Sequence, residues 1–91
     1  MIETMIKAIN MYGQDMQLNI AIEEMAELTK EICKYKRGAE NTLNIAEEMA
    51  DCYIMLKQIE IIIGLDHKDI EDIMAMKIDR LEERMRSKDD A

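Results

Sequence analysis

Apolar positions recur three and four apart through most of the chain, the period of a single buried helix face. The first such stretch, Ile2 to Met11, ends near Tyr12-Gly13, where glycine can take the left-handed conformation that closes a helix. A long helix is predicted from about Asp15 to Lys36, with Leu18, Ala21, Ile22, Met25, Leu28 and Ile32 as its inward stripe. Lys34, Lys36 and Arg37 place positive charge at its C-terminal end, which suits the helix dipole, and Arg37-Gly38 breaks it. After a short polar connection, Gly38 to Thr42, a third helix starts at Asn41 or Asn44. Asn44 and Glu47 have the spacing of a capping box. This helix runs to about Ile63 and stops at Gly64. Its apolar residues Ile45, Met49, Cys52, Met55, Leu56, Ile59, Ile62 and Ile63 cover more than half the circumference, so it should be covered on several sides. Asp66 suits the N-cap of a fourth helix, Lys68 to about Arg86, with Ile70, Ile73, Met74, Ile78, Leu81 and Met85 facing inward. Ser87 to Ala91 is expected to fray.

Composition points the same way. Phe, Trp, Val and Pro are absent, only three Tyr occur, and ten Met join many Leu, Ile, Ala, Glu and Lys, the residues helices are made of. With 91 residues the chain holds one domain, residues 1–91, and only a thin core. The predicted fold class is therefore all-α, a bundle of about four helices. Its two long helices are antiparallel because the loop joining them is short.

Twelve Lys and Arg against 20 Asp and Glu leave a formal charge of −8. That acidity argues against binding nucleic acid or an anionic membrane through the bare surface. It leaves room for a phosphorylated substrate with metal ions between. No apolar run reaches the ~20 residues of a membrane span. Met1 to Asn10 also lacks the apolar segment of a signal peptide, so a cytoplasmic location is expected. Cys33 and Cys52 both fall in helical apolar patterns and read as reduced core thiols. His67, the only histidine, falls in the turn before the fourth helix and is expected to face solvent.

An internal repeat carries the candidate chemistry. Ile22-Glu23-Glu24-Met25-Ala26-Glu27 is echoed 24 residues later by Ala46-Glu47-Glu48-Met49-Ala50-Asp51. Each copy sets carboxylates at i and i+3, which share a helix face. On antiparallel helices Glu24 and Glu27 would look across at Glu48 and Asp51. Converging carboxylates raise one another's pKa values, and hard Mg²⁺ or Mn²⁺ relieves the repulsion through oxygen ligands. Glu48 strengthens the case, because it falls inside the Ile45, Cys52, Met55, Ile59 stripe, where a carboxylate needs a partner. Acid pairs at this spacing also occur on plain solvated faces.

The pattern EExxE followed, after 20 residues, by ExxD resembles the MazG-like all-α nucleoside triphosphate pyrophosphohydrolase superfamily, particularly its short single-domain phage and bacterial members. The likeness runs from about Tyr12 to Met85 and includes Tyr12-Gly13-Gln14, Lys36-Arg37-Gly38, and the late pair Lys77 and Arg80. It implies that Glu24, Glu27, Glu48 and Asp51 bind Mg²⁺, with Mn²⁺ as a substitute. Glu23 would take a catalytic role, binding a further ion or orienting the attacking water. The implied reaction is hydrolysis between the α- and β-phosphates of a nucleoside triphosphate, giving monophosphate and pyrophosphate. Lys77 and Arg80 could touch phosphate oxygens, and Gln17, two turns before Glu24 on one face, could touch the nucleotide; all three could equally be plain surface residues. The resemblance and the all-round apolar third helix together imply a homodimer or homotetramer.

Two alternatives stand beside this reading. Phosphoribosyl-ATP pyrophosphatase shares the length and acid motifs, but this chain has Asp51-Cys52-Tyr53-Ile54-Met55 where that enzyme carries an aromatic-His after its ExxD acid. The other is a non-catalytic helical dimerisation or interaction module. A di-iron carboxylate bundle is disfavoured, because no helix carries ExxH.

Overall fold

The computed structural model describes residues 1–90, which form four helices and no strand. They are α1 (Ile2–Tyr12), α2 (Gln14–Lys36), α3 (Thr42–Ile63) and α4 (His67–Asp90). The class is all-α, as the periodicity predicts. α2 and α3 form the long packed pair, and α1 lies against both. Among the described residues, no helix is long and apolar enough to cross a membrane.

The helix ends follow local chemistry, with three departures from expectation. Gly13 alone joins α1 to α2, and its N–H donates to the Ile9 carbonyl at 2.9 Å. Its φ of 93° is positive, but its ψ of 151° is extended rather than left-handed helical. With no loop between the helices, Gly13 closes α1 and is also the N-cap of α2, a position that takes extended ψ. Only glycine occupies that region without strain.

The second departure concerns the start of α3. Its N-cap is Asn41, one of the two starts predicted, so Asn44 lies inside the helix and only the expected capping box fails to form. The Asn41 side chain reaches across to α2 instead, its Nδ2 donating to the Glu31 carbonyl at 2.9 Å and to Glu31 Oε2 at 2.8 Å. This fastens the two long helices at their connected end.

The third departure is that α4 is helical through Ser87 to Asp90, beyond the predicted end near Arg86; Ala91, the last residue of the tail expected to fray, lies outside the described residues. No glycine or proline stops it there. Gly64 ends α3 in the left-handed conformation, and the Asp66 carboxylate accepts from the Lys68 N–H at 3.0 Å, both as predicted.

Packing departs further from the pattern. On α2, Gln17 and Ala21 are buried and Leu18, Glu24 and Leu28 half-buried, while Ile22, Met25 and Ile32 face out. On α3, Met49, Leu56 and Ile63 are likewise at the surface, and Cys33 on α2 is an exposed thiol, not a core one. The buried apolar residues are Ile9, Ala21, Cys52 and Met55. Polar side chains occupy positions that an ordinary two-helix seam would fill with apolar ones.

α4 departs most. Ile73, Met74, Ile78, Leu81 and Met85 are each at least 43% exposed, so the stripe expected to face inward has no facing helix in this chain. The radius of gyration is 16.9 Å, against about 12 Å for a compact domain of this length. A clasp at the α3–α4 turn sets the direction of α4. His67 Nδ1 lies 3.1 Å from Glu60 Oε1, and its Nε2 lies 3.2 Å from Glu71 Oε1. The ring is half exposed, as expected, yet it partners the buried Glu60, which Lys57 also approaches at 3.4 Å.

Candidate functional site

The antiparallel pairing brings the two copies of the acidic repeat to one level. Cys52 Sγ donates to the Glu24 carbonyl at 3.4 Å, which fixes the register of α2 against α3 at this point. Glu24, Glu48 and Asp51 then converge, each with a carboxylate oxygen within 4.8 Å of the others. Glu24 and Glu48 are half-buried in the seam, and Asp51 is exposed at its mouth. Glu48 Oε2 is buried and has no hydrogen-bond partner.

The electrostatics follow from that geometry. Burial, the charge of Asp51 and hydrogen bonding to Asp51 and Glu48 push the Glu24 carboxyl from 4.5 up to about 7. Burial, with the charges of Glu24, Glu48 and Asp51, also raises the Cys52 thiol, which keeps it protonated and donating. Among the described residues, no ion pair involves the three acids; those found are at Glu31, Glu60, Glu71 and Asp72.

Glu24 makes stability depend on pH with a definite sign. Its folded pKa stands above its unfolded value, so it carries no penalty below about 4.5, where both states hold the proton. The penalty grows as pH rises and is complete above about 7. In metal-free buffer, Glu24→Gln should therefore gain melting temperature over the natural chain as pH goes from 5 to 8. A gap between the two that stays constant over that range would show that Glu24 is not held as described.

The other sequence-predicted residues are placed as follows. Glu27, one turn beyond Glu24, is exposed and lies outside the three-carboxylate cluster. Glu23 and Glu47 are exposed on the flanks. Gln17 is buried on the inward face of α2, not a surface glutamine. Lys77 and Arg80 line an open groove with Glu83, Arg84 and Ser87, formed by α4 alone and apart from the carboxylates. Sequence reasoning missed Gln58, which is 4% exposed on α3. The signal was an amide between Met55 and Ile59 on an otherwise apolar face. The chain matches no family model, no curated protein and no solved structure.

Proposed function

We propose that the protein is a Mg²⁺-dependent nucleoside triphosphate pyrophosphohydrolase, cleaving between the α- and β-phosphates to give a monophosphate and pyrophosphate. One observation carries the reading: three carboxylates from paired helices meet within 4.8 Å, and a buried oxygen of Glu48 has no partner. All-oxygen donor sets of this kind suit a hard divalent cation, so Glu24, Glu48 and Asp51 would hold it. Mg²⁺ bound there supplies charge neutralisation for the phosphates and lowers the pKa of water. The protein's own part is to present the carboxylates on rigid helices. The Cys52–Glu24 hydrogen bond and the Asn41–Glu31 bonds hold those helices in register. Glu27 and Glu23 stand on the open side of α2, where Glu27 could reach a further ion and Glu23 could orient water.

The test is a panel of ribo- and deoxyribonucleoside triphosphates assayed with Mg²⁺ for pyrophosphate release. Monophosphate with pyrophosphate is the expected product pair. Diphosphate with orthophosphate, or no turnover of any member, overturns the proposal. A second reading, a non-catalytic dimerisation module, draws on the exposed apolar stripe of α4 and requires no response to Mg²⁺.

The same stripe supports a homodimer or homotetramer as the working form. Four buried apolar residues among the described ones make a small core, and chains of this size need further burial to be stable. A second copy covering α4 supplies it. Light scattering at micromolar concentration should return a multiple of 10.6 kDa, and the monomer mass at assay concentrations would remove this claim.

A further inference from the structure

A groove of about 340 Å³ runs between α1 and α3, lined by Met1, Thr4, Met5, Ala8, Ile54 and Gln58. Its walls are almost wholly apolar, and the methionines can adjust to a flat guest. Thr4 and Gln58 are the polar side chains of the lining, and Gln58 is the buried one. It is 4% exposed, and its Oε1 is buried without a hydrogen-bond partner. A buried acceptor left unpaired is costly, and native chains tolerate few of them without a use.

The groove is placed to serve the carboxylate site. Asp51, Ile54 and Gln58 follow one another at i, i+3 and i+7 and so share a face of α3. Seven residues of helix separate Asp51 from Gln58 by about 10 Å along the axis. That is the scale of a nucleotide measured from its α-phosphate to the far edge of its base. The register that sets Glu24 beside Cys52 also brings Gln17, seven residues back on α2, near the level of Gln58, six residues on along α3. Both amides are buried.

We infer that the groove between α1 and α3 receives the base of the nucleotide, with the Gln58 amide pairing to its hydrogen-bonding edge. This rests on the pyrophosphohydrolase reading and adds to it the part that grips the nucleoside. A water molecule would satisfy one atom of the amide. A turn of the side chain that brings the sealed Oε1 to the groove would let a base edge satisfy its acceptor and its donor together, as glutamine does with adenine in nucleic acids. The apolar walls hold the two faces of the ring, which every base offers.

The test compares the natural chain, Gln58→Met and Ala8→Leu on whichever triphosphate of the panel is cleaved best. Gln58→Met keeps the size and removes the amide; Ala8→Leu fills the groove. Both should raise KM about tenfold or more, the worth of one well-paired hydrogen bond or its steric equivalent, with kcat little changed. Gln58→Met should also raise the melting temperature, because it removes the orphaned acceptor. Unchanged KM in both variants, or a loss confined to kcat, overturns the base site while leaving the reaction assignment intact. No cleavage of any nucleotide by the natural chain overturns the reaction assignment first and this inference with it.

Discussion

Glu48→Gln and Asp51→Asn should each lower steady-state pyrophosphate release by orders of magnitude at saturating Mg²⁺, with the helical fold intact. Each replaces one of the three carboxylates that converge in the α2–α3 seam by a neutral amide, which weakens the hold on the ion and with it both charge neutralisation and activation of water. Glu24→Gln should do the same. Glu27→Gln should be damaging but the mildest of the four, because Glu27 stands outside the cluster. Glu47→Gln is the control, an exposed acid on the flank of α3 that the motif does not need. Rates for all five variants, with circular dichroism to confirm folding, decide the assignment. Equal damage from Glu47→Gln and Asp51→Asn, or near-full activity in Asp51→Asn, would place the metal face elsewhere.

Mg²⁺ itself should stabilise the fold strongly. An ion bound only by the native state adds RT ln(1 + [L]/Kd), about 2.7 kcal/mol at a hundredfold excess over Kd. For a domain of this length that corresponds to a rise in melting temperature on the order of 10–20 °C. The burial and the neighbouring charges that raise the Glu24 carboxyl to about 7 add to the effect, because the ion replaces a proton among the carboxylates. Millimolar Mg²⁺ against EDTA in a thermal melt measures the rise, and Glu48→Gln should blunt it. Identical melts in the two buffers would be incompatible with a metal site in this seam.

Helix identity was legible because the punctuation is local. Gly13, Gly38 and Gly64 mark three helix ends, and Asp66 caps the last helix where a short side chain of its kind is expected. Three of the four acids expected to converge, Glu24, Glu48 and Asp51, were legible too, since a repeat on antiparallel helices leaves little freedom in register once the connection is short; Glu27 stays outside. What the sequence did not show was which way the helices turn about their own axes. Ile22 and Ile32 belong to the apolar stripe of α2 by spacing, yet Gln17, Ala21 and Glu24 face α3. Periodicity assumes that apolar residues win the interior of a single chain. Here polar groups share the interior with Ile9, Ala21, Cys52 and Met55, and many apolar residues are left outside. Long-range pairs such as Asn41–Glu31 and His67–Glu60 are equally silent in a sequence, because they depend on the angle at which one helix meets the next.

The isolation of α4 has a consequence for how the molecule opens. A helix of 24 residues without a packed neighbour holds its backbone hydrogen bonds by little more than its intrinsic propensity, which is marginal in water. Its amides should therefore exchange with solvent almost as fast as those of a free helical peptide, while those along the α2–α3 seam wait for larger openings. Proteases should likewise enter first between Ile70 and Met85. Protection of this one helix then becomes a concentration-dependent signal, rising as association covers its apolar stripe and reporting that event amide by amide.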